Sequence, residues 1–177
     1  EELKKFYRQD IAAAHKKGIS IVINAATFRA SSNHMRDAKL DSADDVRRVN
    51  KACIDLVKEL RAEVSSGPSI YIGAPIGSLG DAYDARQTAT LEDAMKYHRL
   101  QLQVFKDESV DFVNPVTLPR LIEAQAIALA AAELALDYTI GFTLDAAGDL
   151  LDGHKLHEAI KAVDDLLDTK GLKKPLG

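Results

Sequence analysis

The feature that most constrains this chain is a strict alternation between two hydrophobic periods. Short, nearly continuous apolar runs cover Ile19–Ala26, Ser69–Ala74, Val110–Val116 and Asp137–Thr143. Longer stretches between them carry apolar residues three and four apart. The short runs predict strands buried on both faces, and the longer stretches predict amphipathic helices. The helical stripes are Leu3, Tyr7, Ile11 and Ala14; Val46, Val49, Cys53, Leu56 and Leu60; Leu91, Met95, His98, Leu102 and Phe105; and Leu156, Ile160, Val163 and Leu167. A further helix is predicted from Pro119 to about Leu136, with proline at its first turn. Ser42 with Asp45, and Thr90 with Asp93, are spaced as helix-capping pairs, whereas Gly18 and Ser65-Ser66-Gly67-Pro68 are breakers. Arg29–Asp41 is a polar loop region with room for a short helix.

The predicted order is α-β-α-β-α-β-α-β-α. Such alternation implies a parallel sheet with right-handed crossovers. Two architectures satisfy it: an open doubly wound sheet, and part of an eight-stranded barrel of about 250 residues. In both, chemistry belongs at the C-terminal ends of the strands. Those ends are Thr27-Phe28, Pro75–Gly80, Val116-Thr117 and Thr143–Asp145.

Composition removes several classes of function. The length of 177 residues suits one domain, and no interdomain linker or internal repeat is visible. With 23 Lys and Arg against 27 Asp and Glu, the net charge of −4 disfavours nucleic-acid partners. No apolar run nears the roughly 20 residues of a membrane span, so no membrane partner is expected. The single cysteine, Cys53, excludes a disulfide framework and a Cys-rich zinc site within these residues, and a reducing, cytoplasmic setting is expected. The termini, Glu1-Glu2 and Lys173–Gly177, read as cut from a longer protein.

Few residues carry an unambiguous chemical signal. The loop Gly73–Gly80 is glycine-rich, but its spacing matches neither a dinucleotide fingerprint nor a Walker loop, and no lysine follows. His154, His157 and Glu158 do not form the His-Glu-x-x-His pattern and are expected as solvated helix-start residues. His98 falls within an apolar stripe, where a packed ring with a hydrogen-bonded tip is expected. Cys53 is expected to be structural. Asp145 sits just past a strand end, where a catalytic carboxylate or a turn-forming side chain would both fit. No catalytic residue is assigned.

Three ordered stretches resemble the homocysteine S-methyltransferase family. Ile23-Asn-Ala-Ala-Thr-Phe-Arg-Ala-Ser31 is similar to the family's second strand and its Thr-Phe-x-Ala-Ser turn. Ile72-Gly-Ala-Pro-Ile-Gly-Ser-Leu-Gly-Asp-Ala-Tyr83, followed by Tyr97-His98-Arg99, resembles the Gly-Ser-Ile-Gly-Pro loop and Phe-His-Arg helix. Phe142–Gly153 with Leu156–Ile160 resembles the Ser-Phe-Thr strand and Gly-x-Leu-x-x-Gly turn.

The resemblance implies that residues 1–177 are a partial (β/α)8 TIM barrel, its second through fifth strands. It implies a cytoplasmic S-methyltransferase of methionine biosynthesis. Its partners would be a small-molecule thiol, homocysteine, and a methyl donor such as S-methylmethionine, S-adenosylmethionine, betaine or a folate. It also implies zinc, held by three cysteines from strands beyond Gly177. Zinc would present the thiol as a thiolate at neutral pH. These residues alone should therefore hold no zinc tightly. The matched positions expected near substrate are Thr27, Phe28, Gly77 and Thr117. Where the family has Glu-Thr, its Glu holding the homocysteine amine, this chain has Val116-Thr117. The family's Ser before Phe-Thr is Gly141, and its loop Ser and Pro become Pro75 and Ser78. The competing readings are a divergent or non-catalytic barrel with another substrate, and an open-sheet binding module. Four strands standing alone would also leave apolar edges that favour a homo-oligomer.

Overall fold

The computed structural model describes residues 1–84, 86 and 88–177. Its elements run in chain order α1 (Glu2–Lys16), β1 (Ile21–Asn24), α2 (Ser32–Met35), α3 (Ala43–Ala62), β2 (Ile70–Ile76), α4 (Leu91–Asp107), β3 (Phe112–Pro115), α5 (Leu121–Glu133) and α6 (Leu156–Lys170). A 3₁₀ turn, Arg36–Ala38, follows α2. The capping pairs form as their spacing predicts: Ser42 Oγ accepts from Asp45 N, and Thr90 Oγ1 from Asp93 N, each at 3.1 Å.

The three strands are parallel and in sequential order, β1-β2-β3, with no reversal. Right-handed crossovers in sequential order send every connecting helix to the same side of the sheet. Burial agrees. Ile23 and its partner Ile72 are buried, as are Ala74 and Val113, whereas the neighbouring pair Val22 and Tyr71 are 43% and 46% exposed. The expectation of strands buried on both faces is thus corrected: one face is covered and the other is open. The helices pack neighbour to neighbour, α1 on α3, α3 on α4, α4 on α5 and α5 on α6. A doubly wound sheet would need helices on both faces.

The fourth predicted strand, Asp137–Thr143, is also corrected. It runs beside β3 but forms only two isolated parallel bridges, Val113 with Tyr138 and Leu118 with Phe142. The interruption has a local cause. Thr117 adopts a left-handed φ of 57°, which turns the chain between the two bridges. Backbone bonds nonetheless continue along the segment: Thr139 N donates to Val113 O at 3.0 Å and Gly141 N to Pro115 O at 2.9 Å. On its other side, Leu176 N donates to Tyr138 O at 2.7 Å.

α5 is shorter than its predicted span. It starts after Arg120, so Pro119 lies before the helix, and it ends at Glu133 because Ala135 turns left-handed at φ 52°. It is buried nearly all round, and its alanines allow close approach of α4 and α6. The apolar stripes also shift. On α3 the innermost residues are Val46, Asn50, Ile54, Val57 and Leu60, with Val49, Cys53 and Leu56 half-buried. Ile160 on α6 is 50% exposed. Leu102 on α4, in contrast, is fully buried. Leu102→Ala should therefore cost about 2–5 kcal/mol, and Ile160→Ala less than about 0.5 kcal/mol. Urea unfolding of the two variants checks the contrast, and equal losses would contradict this packing.

Candidate functional site

The C-terminal ends of the strands meet along one edge of the sheet. Past β1, Thr27 is fully buried, and its Oγ1 donates to Pro75 O at 2.7 Å. Its carbonyl accepts from Gln101 Nε2 at 2.7 Å, and the same nitrogen lies 2.8 Å from Asn50 Oδ1. Asn50 Nδ2 donates in turn to Ala30 O at 2.6 Å. The Thr27 hydroxyl proton is thus engaged inside the protein, tying the β1 end to β2, α4 and α3.

Phe28 and Gly77 are in direct contact. Gly77 N donates to Phe28 O at 3.1 Å. A Cβ at Gly77 would fall 2.8 Å from that oxygen and 3.0 Å from the Phe28 ring, so glycine is required by close approach. The β3 end lies alongside, because Val116 N donates to Ile76 O at 3.0 Å. Thr117 follows in its left-handed conformation, its Oγ1 donating to Val116 O at 2.7 Å. A β-branched residue at positive φ is strained. The structure therefore puts Thr27, Phe28 and Gly77 together, with Thr117 on the same edge one residue past the Ile76 contact.

Behind this edge lies a buried polar pair that the sequence reading half anticipates. His98 is buried in the α4 stripe as expected, and its Nε2 is 2.9 Å from Glu123 Oε1 on α5. The same carboxyl oxygen accepts a short bond from Leu79 N in the glycine-rich loop. Arg120 Nη2 is 3.8 Å from Glu123 Oε2. One side chain on α5 thus holds both α4 and the loop after β2.

A second network fastens the loop after β1 to the same place. Tyr97 OH donates to Ser31 Oγ at 2.9 Å, and Ser31 Oγ lies 3.0 Å from His34 Nδ1. Asn33 Nδ2 donates to Leu79 O at 3.0 Å. Burial, reinforced by the nearby Arg29 charge, holds the His34 ring below the usual histidine range, while the Gly80 backbone acts in the opposite direction. Burial also pushes the Tyr97 phenol up. Between the two loops opens a polar cavity of about 620 Å³ lined by Arg29, Asn33, His34, Arg36, Leu79, Gly80 and Asp81.

The remaining sequence candidates lie elsewhere. Asp145 forms a turn, its Oδ1 accepting from Ala147 N at 2.8 Å and Asp149 N at 3.0 Å. His154 is exposed and pairs with Asp152 Oδ1 at 2.9 Å. Cys53 is half-buried on α3, its thiol pushed up by burial. Among the described residues, no three His, Cys, Asp or Glu side chains come together as a metal site. Asn50, Gln101 and Glu123 are functional-edge residues that the sequence reading missed. Each is a polar side chain at a helix position that turned out to be buried, and Glu123 stands out against the otherwise apolar α5.

Two outcomes follow from these networks. Glu123→Ala leaves the Leu79 amide and the His98 ring nitrogen without their acceptor, at roughly 1–3 kcal/mol for each buried donor. Glu123→Gln keeps a carbonyl acceptor and should cost less. Urea melts combined with hydrogen exchange at the Leu79 amide test this, and equal stability of the two variants would contradict the clamp. The His34 ring should titrate below its ordinary 6.5. Between the folded and unfolded values the unfolded chain binds more protons, so stability is lost as pH falls through that window. NMR titration of the ring checks the sign, and a midpoint above 6.5 would refute it.

Comparison with known proteins places this geometry. Three structures of the homocysteine methyltransferase MmuM from Escherichia coli share the fold. The metallated form superposes with a TM-score of 0.73 at 19% identity, covering 84% of this chain and 54% of that one. The oxidised form gives 0.71 at 19% identity, with 83% and 52% covered. The apo form gives 0.61 at 20% identity, with 72% and 47% covered. The chain thus spans about half the length of these neighbours. No curated protein matches it by sequence. The profile of the homocysteine S-methyltransferase family matches residues 8–172, nearly the whole chain. The chain therefore belongs to the homocysteine S-methyltransferase family.

Proposed function

We propose that residues 1–177 form one part of a (β/α)8 barrel, supplying its second to fifth strands, and that the complete protein transfers a methyl group to a small-molecule thiol. The observation that carries this reading is the one-sided, sequentially ordered sheet with Phe28, Gly77 and Val116-Thr117 gathered at its C-terminal edge. A barrel places its chemistry at that edge and fills its open face with side chains from its other strands. Val22, Asn24 and Tyr71 would be such interior positions.

The family implies a zinc ion, and the residues present do not fit one. Cys53 stands alone on α3, and no three potential ligands converge among the described residues. No step of the transfer is therefore assigned to a metal held by this chain. What these residues do is shape and position. Phe28 packed on Gly77 presents a half-buried aromatic surface at the rim. The Thr27 hydroxyl holds the β1 and β2 ends in register rather than offering its proton to a ligand. Thr117, turned out of the strand, redirects the chain at the rim.

Val116 bears on the acceptor. An amino-acid thiol brings an ammonium into the pocket, and a buried ammonium needs an acceptor. Val116 provides no side-chain acceptor where the family resemblance puts a glutamate. Losing one charged hydrogen bond is worth about 1.5–3 kcal/mol, or roughly ten- to a hundredfold in affinity. The preferred acceptor is therefore a thiol lacking the amine, with homocysteine bound weakly. The test uses the protein that carries this chain together with the rest of its barrel. Methyl transfer is assayed with homocysteine and with 3-mercaptopropionate, using S-methylmethionine, S-adenosylmethionine or betaine as donor. Calorimetric titration with homocysteine is repeated on Val116→Glu. Transfer to either thiol supports the function, and tighter homocysteine binding by the variant supports the role of Val116. Transfer to neither would overturn the function. Tight homocysteine binding by the unmodified protein would show that another group holds the amine.

A further inference from the structure

The polar cavity between the loops after β1 and β2 is lined by two guanidinium-bearing residues, Arg29 and Arg36, and one carboxylate, Asp81. Arg29 makes no ion pair among the described residues. Arg36 is held in place rather than free: its Nη2 donates to Asn33 Oδ1 at 2.9 Å, and Asn33 is anchored by its own bond to Leu79 O at 3.0 Å. Arg36 Nε also forms an ion pair with Asp41 Oδ2 at 3.7 Å, and Asp41 does not line the cavity. His34 is fastened through Ser31 and Tyr97, so the cavity wall is largely preformed before any ligand arrives. The nearest rim carboxylate, Asp81, accepts from Tyr83 N at 2.9 Å and pairs with neither arginine. The buried Glu123 is engaged by Leu79 N and His98 and does not line the cavity.

We propose that this cavity is a binding site for the oxyanion of a small molecule, a carboxylate or a phosphate group, gripped by the guanidinium groups of Arg29 and Arg36. Guanidinium forks match both oxyanions in a bidentate manner, and charge-assisted bonds are stronger than neutral ones. The cavity of about 620 Å³ has the size of a small-molecule site. Asp81 adds a discriminating feature. It would repel the double charge of a phosphate, and it would accept the ammonium of an amino acid whose carboxylate lies on the arginines. The site requires no methyl transfer, so its test and the failure or success of the transferase reading are separable.

Isothermal titration of the protein at low ionic strength with acetate, methionine and inorganic phosphate tests the proposal. Saturable one-site binding of at least one probe is expected. Arg29→Gln and Arg36→Gln should each weaken it about tenfold, the equivalent of one charged hydrogen bond. Arg47→Gln, on α3 and paired with Asp44, serves as the charge control and should leave it unchanged. Methionine binding more tightly than acetate would identify an amino-acid carboxylate, and phosphate binding most tightly would identify a phosphate group. The His34 ring resonance provides a second readout in folded protein, shifting with the bound probe and not in the arginine variants. Absence of saturable binding for all three probes, or equal weakening by Arg47→Gln, would overturn the proposal. So would binding that survives both cavity variants.

Discussion

The acceptor that the candidate site depends on is a single carboxyl oxygen, Glu123 Oε1. It receives the Leu79 amide from the loop after β2 and lies at hydrogen-bond distance from the His98 ring on α4. All three groups are buried, so none can turn to water if the arrangement loosens. The loop after β2 has little regular structure of its own, and its glycines give it wide conformational freedom. Its shape therefore comes from outside: from Glu123 below, from Asn33 at Leu79 O, and from Phe28 at Gly77. A strand-end loop held by a helix three elements later is a tertiary constraint that local propensity cannot supply.

The sheet imposes the second constraint. Sequential parallel order with right-handed crossovers puts all the helices on one side. The consequence is an uncovered face bearing Val22 and Tyr71. The same order aligns the strand C-termini, so the loops after β1 and β2 and the turn at Val116-Thr117 share one edge. Position on that edge, rather than any one reactive group, is what unites Phe28, Gly77 and Thr117.

The two polar networks at the edge serve different purposes. Thr27, Gln101 and Asn50 form a closed chain of bonds joining the β1 end to α3 and α4, with no donor left for a ligand at Thr27. Ser31 and Tyr97 fasten His34, which lines the open cavity together with Arg29 and Arg36. Thr27 thus supports the strand edge, whereas the cavity is lined by Arg29 and Leu79–Asp81 within the family-like stretches and by Asn33, His34 and Arg36 between them.

Much of this was legible in the chain itself. Hydrophobic periodicity located five of the helices and three of the strands, because burying apolar area on one face imposes its repeat on any sequence that folds this way. The capping pairs Ser42–Asp45 and Thr90–Asp93 marked helix starts, since those bonds are local. The histidine in the α4 stripe was legible as packed, though its partner was not. The rest was decided only by tertiary structure. Whether the sheet was covered on one face or two depends on the order in which strands associate, and the periodic pattern is the same for both. The break beside β3 arises from the left-handed turn at Thr117, a conformation that threonine's own preferences oppose and that its surroundings must enforce. Glu123, Asn50 and Gln101 are polar residues whose value lies in partners many positions away, 44 residues in the case of Glu123 and Leu79. A one-dimensional pattern records which side chains prefer burial, whereas which buried polar groups meet is settled only when the helices close over the sheet.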